Sequence, residues 1–104
     1  MSSQAKTARL QAELDLQLQV GHLDTEINKE NINYRKVRME MNKADGKMKI
    51  LRNMHANYCK LANISASSPE SLTYISPLSA IFHAKMDEAQ EAIDDHEDAT
   101  GAEI

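Results

Sequence analysis

An apolar stripe runs through residues 16–62 without losing its phase, and it limits the folds that are open to this chain. The stripe advances by alternating steps of four and three residues, which is the spacing of a coiled-coil helix. Twelve of its fourteen positions are apolar or tyrosine, and a pattern sustained over this length predicts a coiled coil. The positions are Leu16, Val20, Leu23, Ile27, Glu30, Tyr34, Val37, Met41, Ala44, Met48, Leu51, His55, Tyr58 and Ala62.

The stripe predicts an all-α, elongated protein in which a long coiled-coil helix is followed by a shorter amphipathic, acidic helix. A lone helix cannot bury its own apolar stripe. We therefore expect a helical hairpin or bundle that is completed by oligomerisation. Asp45 and Gly46 could form the bend of a hairpin. The stripe keeps its phase across them, however, and this favours a continuous helix.

Changes in composition divide the chain into four predicted segments. The long helix occupies residues 1–63, and a Ser/Pro linker with room for a short helical turn occupies residues 64–76. A C-terminal amphipathic helix spans 77–96, because Ser76 and Pro77 form a typical N-cap and first-turn pair. A flexible acidic tail follows at 97–104. The second helix is expected to fold back or to dock on a neighbouring chain through Leu78, Ile81, Phe82, Met86 and Ile93.

Charge is strongly segregated along the chain, although the net charge is only −4. Residues 35–60 carry eight basic and two acidic side chains, whereas residues 61–104 carry one basic and nine acidic side chains. The basic stretch could contact an acidic protein surface or line the phosphates of a nucleic acid. The net negative charge disfavours the second interpretation. The residues concerned are Arg35, Lys36, Arg38, Lys43, Lys47, Lys49 and Arg52.

The charges that flank the stripe favour an antiparallel homodimer. About a centre between residues 42 and 43, Glu40 would face Lys47 of a second copy, and Glu30 would face His55. Another helical protein could pair with the same stripe instead. The leucines at positions 10, 14 and 18 form a second, offset stripe, which suggests contact with more than one neighbour.

The motifs of catalysis and metal binding are missing from the sequence. His55 and Cys59 share a helix face and could supply two metal ligands, but two ligands do not make a site. A phosphate-binding glycine loop, a CxxC motif and an HExxH motif do not occur. We therefore predict no catalytic residue, no cofactor and no metal.

A single cysteine, the lack of a secretory h-region and the lack of a membrane-spanning apolar run predict a soluble, intracellular (cytoplasmic) protein without membrane contact. The predicted function is that of a non-catalytic coiled-coil assembly or adaptor subunit, a scaffold-like component that acts through protein–protein interaction. The alternative is a small helical regulator that binds nucleic acid through residues 35–60.

Overall fold

Three α-helices make up the protein in a computed structural model that describes residues 2–101, with side chains described for residues 3–97. They are α1 (Ser2–Ile27), α2 (Tyr34–Leu61) and α3 (Pro69–Gly101), and the described residues contain no strand. This confirms the all-α prediction. None of the helices in residues 2–101 is long and apolar enough to cross a membrane.

Contacts between the helices define an up-down-up bundle. Glu13 and Asp24 of α1 contact Tyr74 and Lys85 of α3 in the same order along both helices, so these two helices run parallel. The contacts of α2 with α3 run in opposite order, since His55 meets Ser71 whereas Arg38 meets Glu97. The bundle is elongated, with extents of 57 × 22 × 16 Å.

The prediction of one unbroken helix over residues 1–63 is wrong, because the chain turns between Ile27 and Tyr34. Asparagines end one helix and begin the next. The Asn28 side chain donates to the carbonyl oxygen of Asp24 at 2.8 Å. Asn33 has an extended backbone, and its side chain accepts from the Lys36 N–H at 3.2 Å, as an N-cap does. The turn divides the stripe into two helices that pack on each other.

The linker is shorter than predicted and lies earlier in the chain. Helix α2 ends at Leu61, and Asn63 adopts the left-handed conformation with φ 59°. The N–H of Ile64 then donates to the Cys59 carbonyl at 2.8 Å, which is the closing bond of a Schellman motif. Helix α3 begins after Ser68, whose hydroxyl accepts from the Ser71 N–H at 3.3 Å. The connection therefore covers residues 62–68, not 64–76.

The predicted start of the second helix at Pro77 is also wrong, since Pro77 lies inside α3. Proline removes one helical hydrogen bond. Tyr74 and Ile75 before it and Leu78 after it pack against the same apolar cluster, and this burial favours a helix that continues through the proline. The helix also extends to Gly101, so residues 97–101 are helical rather than part of a flexible tail. Residues 102–104 of the predicted tail lie outside the described residues.

The core consists of two apolar clusters, and all three helices contribute to each. One contains Ala12, Leu16, Ala44, Met48, Leu51 and Phe82. The other contains Leu23, Val37, Ala89 and Ile93. The half-buried Met86 packs against both clusters and joins them.

The chain covers most of its own apolar stripe. Six positions are half-buried, namely Val20, Ile27, Tyr34, Met41, Tyr58 and Ala62, and Glu30 is exposed in the turn. Seven are buried, namely Leu16, Leu23, Val37, Ala44, Met48, Leu51 and His55. A second chain is therefore not needed to cover the buried part of the stripe. Self-association stays a prediction, and it requires a different surface.

Candidate functional site: the outer faces of the bundle

Helix α1 carries leucines on two opposite sides. On the inner side Leu16 and Leu23 are only 2% and 0% exposed. On the outer side Leu10, Leu14 and Leu18 are 51%, 49% and 62% exposed. Leu14 and Leu16 lie about 200° apart around the helix axis, because each residue advances by about 100°. The three exposed residues form a ridge at i, i+4 and i+8, which we call the outer leucine face.

The outer leucine face is uncharged and lies beside an apolar cavity. Neighbouring outward positions are Gln11, Gln17 and Gly21, none of which is charged. Gln17 also lines a cavity of about 100 Å³ between α1 and α3. Ile81 lies at the rim of that cavity and is 58% exposed. The other lining residues are Leu16, Val20, Leu78 and Phe82.

The residues predicted to dock the C-terminal helix lie in two different environments. Phe82 and Ile93 are buried in the two core clusters, and Leu78 and Met86 pack partly buried against them. These four residues hold α3 on its own chain. Ile81 instead is 58% exposed beside α1, so it contributes little to holding α3 on its own chain.

The cations of α2 divide between two flanks of the helix. Lys36 lies 3.4 Å from Glu26 of α1 on one flank. On the other flank Arg38 pairs with Glu97 of α3, and an Arg52 guanidinium nitrogen lies 3.5 Å from the His83 ring. Lys43 and Lys49 pair within α2, whereas Arg35 and Lys47 form no ion pair among the described side chains. Of the seven predicted cations, all except the half-buried Lys47 are exposed.

Helix α3 presents an acidic outer surface. Lys85 is its only lysine or arginine, and this side chain turns toward α1, where it contacts Asp24 at 2.6 Å. That hydrogen bond raises the pKa of Lys85 and lowers the pKa of Asp24. Lys85 also pairs with Glu88 at 2.8 Å. The outer surface carries further exposed carboxylates at Glu70, Asp87, Glu91, Asp94 and Asp95.

A polar cluster joins the three helices at the end of the bundle where α1 begins. The Arg9 guanidinium lies between the rings of Tyr58 and Tyr74, at 3.9 and 3.8 Å from their centroids. Its Nη1 atom is 3.2 Å from Nδ1 of His55, and the Tyr74 hydroxyl donates to Glu13 at 2.6 Å. Burial, together with the charge of Arg9, lowers the pKa of His55.

The hydrogen bonds of His55 run in the wrong direction for nucleophilic catalysis. Arginine can only donate, so Nδ1 of His55 accepts from Arg9 and Nε2 carries the proton. The Nε2–H group then donates to the Ser71 hydroxyl at 2.8 Å. A catalytic histidine must instead take a proton from its serine, and it is oriented by a carboxylate. This geometry stabilises the bundle and leaves Ser71 without a base.

Cys59 belongs to the same cluster but lacks the neighbours that a metal requires. Its sulfur lies 3.6 Å from Nε2 of His55 and 3.6 Å from the Ser71 hydroxyl. Within the described residues, no group of three or more His, Cys, Asp or Glu side chains is placed to hold a metal ion. The sequence identified the pair His55 and Cys59 but not Arg9 or Ser71, which come from the other two helices.

A second polar contact, between α1 and α2, was also missed by the sequence analysis. The buried Gln19 side chain donates to the Glu40 carbonyl at 3.1 Å and to the Glu40 carboxylate. Burial opposes ionisation of Glu40, but hydrogen bonds from Gln19 and Lys43 outweigh it and lower the pKa of that carboxylate. Two buried polar side chains beside the apolar stripe thus pair where α1 meets α2.

Comparison of the chain with known protein families, with curated proteins and with solved structures finds no match.

Proposed function

We propose that this protein is a non-catalytic assembly or adaptor subunit that binds another helical protein through the outer leucine face. One observation carries the proposal: three leucines in helical register are about half exposed on the side of α1 that faces away from the core. Covering apolar surface gains about 25 cal/mol per Å², so each leucine contributes on the order of 1 kcal/mol when a partner covers it.

The ridge has the geometry that accepts a helix. Leucines at i, i+4 and i+8 fit the groove of a second helix in the common packing classes. A Cβ built at Gly21 meets nothing within 4 Å, so the chain itself does not require glycine there. On a binding face, glycine allows close approach of a partner's backbone. Since the ridge is uncharged, the partner helix should present an uncharged, aliphatic face.

Site-specific photocrosslinking tests this proposal. A photoreactive residue at Leu14 should give a discrete covalent adduct with one partner helix in the organism of origin. The same group at Asn57, an exposed position of α2, serves as the matched control. Leu18→Asp should remove the adduct at position 14 while circular dichroism stays unchanged. Identical adducts at both positions, or an adduct that survives Leu18→Asp, would reject the outer leucine face as the binding surface.

Binding of nucleic acid by α2 is a second candidate function, favoured by the exposure of six of its seven predicted cations. The acidic surface of the neighbouring α3 opposes it. Fluorescence anisotropy with DNA and RNA duplexes at low salt would reveal such binding, which must weaken steeply as salt rises. Changing Arg35, Lys36 and Lys43 to alanine together should abolish it. Lack of binding at about 20 mM salt would eliminate this candidate.

A further inference from the structure

We propose that two copies of this chain associate through the side of the bundle formed by α2 and α3, so that α2 of each copy lies against α3 of the other. The proposal does not involve the outer leucine face. We call this surface the charged face. It comprises Arg38, Asn42, Asp45, Lys49 and Arg52 of α2 and Ala80, His83, Asp87, Gln90, Glu91 and Asp94 of α3, all exposed except the half-buried Asp45.

Two contacts locate this face on the bundle. The ion pair of Arg38 with Glu97 and the 3.5 Å contact of Arg52 with His83 mark the boundary between α2 and α3. Lys49 lies three turns after Arg38 on the same side of α2. On α3, Gln90 lies two turns from both His83 and Glu97 and therefore shares their side.

The two halves of the charged face carry opposite charge. Its α2 half has three cations and one carboxylate, whereas its α3 half has three carboxylates and no lysine or arginine. A surface with one positive and one negative half is complementary to itself when a twofold axis exchanges the halves. This charge complementarity identifies a second copy as the occupant.

The register of the helices selects the direction of the twofold axis. Residue 38 is level with residue 97 and residue 52 with residue 83, because these pairs are in contact. Lys49 is then level with residue 86, and Asp45 is level with Gln90. An axis along the bundle preserves these levels, so Lys49 would meet Asp87 of the second copy and Asp45 would meet an uncharged Gln90. An axis across the bundle would place α2 against α2 and bring like charges together.

The character of the face predicts a weak, salt-sensitive dimer. Exposed ion pairs contribute little individually and are screened by salt. We expect the dissociation constant to rise about tenfold or more between 50 and 500 mM NaCl. In this dimer α1 lies on the opposite side of each bundle. Both outer leucine faces therefore stay available, and the dimer is bivalent for a helical partner.

Charge reversal tests the proposal by sedimentation velocity on the full chain at 50 mM NaCl. Lys49→Glu with Arg52→Glu makes both halves of the face acidic, and Asp87→Lys with Asp94→Lys makes both halves basic. Each double variant alone should be monomeric under conditions in which the original chain dimerises. An equimolar mixture of the two should restore association, because each acidic half then meets a basic half.

A matched control separates the face from net charge. Lys6→Glu with Lys47→Glu produces the same change in net charge, but Lys6 lies on α1 and Lys47 on the opposite flank of α2. This variant should dimerise like the original chain, as should Leu14→Asp with Leu18→Asp, which tests the outer leucine face separately. A monomeric original chain at 50 mM NaCl, a mixture that stays monomeric, or a control that dissociates would overturn the proposal. So would a DNA duplex that displaces the second copy from α2, since α2 would then be a polyanion site.

Discussion

The inner and outer sides of α1 contain the same side chain in opposite surroundings. Leu16 and Leu23 are enclosed by α2 and α3, whereas Leu14 and Leu18 are about half exposed. The inner leucines hold the chain together, and the outer leucines are available to another chain. Leucine spacing therefore indicates a helix that will be covered, but it does not indicate which chain covers it.

The largest expected difference in the free energy of unfolding is between a leucine truncated on the inner side of α1 and one truncated on the outer side. Leu23→Ala should lower the free energy of unfolding by about 2–5 kcal/mol, because it leaves a cavity in a core cluster. Leu14→Ala should change it by less than about 0.5 kcal/mol, since the side chain lies on the surface. Urea denaturation of the two variants measures both values. Equal losses would mean that the outer side is also enclosed within the folded chain.

A smaller difference in the free energy of unfolding is expected between alanine substitutions at two glutamines of α1. Gln19→Ala removes the hydrogen bonds to Glu40 and leaves the buried Oε2 atom of that carboxylate without its donor, while Lys43 still contacts Oε1. The lost bonds cost about 1–3 kcal/mol. Gln17 is exposed, so Gln17→Ala should have almost no effect. The two variants can be compared by the same denaturation experiment. If Gln17→Ala cost as much as Gln19→Ala, the polar contact would not fix the packing of α1 on α2.

The pH dependence of stability tests the polar cluster. Burial and the charge of Arg9 lower the pKa of His55 in the folded chain, so the unfolded chain takes up a proton more readily. The contribution of His55 to the free energy of unfolding is therefore complete above its unfolded pKa of about 6.5. It is lost as the pH falls below that value, by at most about 1.4 kcal/mol per pH unit.

Urea denaturation at pH 7.5 and pH 5.5 measures this loss. His55→Gln should remove most of the pH dependence in this range, and His22→Gln, at an exposed position, should not. Asp24, Glu26 and Glu40 have lowered pKa values and affect stability only at a lower pH, below their ordinary values near 4. A pH dependence that persists in His55→Gln would show that the cluster is not its source.

The smallest effect concerns Gly21, and it separates folding from binding. Gly21→Ala should raise the free energy of unfolding by up to about 1 kcal/mol, because alanine favours helix and its Cβ meets no atom within 4 Å. A Cβ at Gly46 of α2 also meets no atom within 4 Å, so Gly46→Ala should raise the free energy of unfolding by a similar amount. Only Gly21→Ala should weaken the crosslink from position 14. Equal crosslinking in both variants would show that no partner backbone approaches Gly21.

The sequence predicted the helical class of the fold and the continuity of α2 through Asp45 and Gly46, because periodic burial is a local pattern. It did not predict the turn after Ile27, since the stripe keeps the same phase on both sides of that turn. The asparagines at 28, 31 and 33 were the available signal, because asparagine favours helix caps over helix interiors.

Among the surface features and the polar contacts, some were also predicted from the sequence and others were not. The outer leucine stripe and the charge segregation follow from residue spacing and composition, and both were predicted. The polar cluster did not, because Arg9, His55 and Ser71 come from three different helices and their meeting depends on tertiary packing. Pro77 was interpreted as the start of a helix because proline favours the first helical turn. In the structure the residues on both sides of Pro77 pack against the core, and this burial favours a helix that continues through the proline.

The concentration dependence of thermal unfolding tests most directly whether one chain covers its own stripe. The measurement should be made at about 500 mM NaCl, where association through the charged face is screened. We predict that the midpoint stays constant over a hundredfold range of protein concentration, as expected for a bundle complete in one chain. A midpoint that rises with concentration would show that folding requires a second chain, and it would contradict the three-helix account.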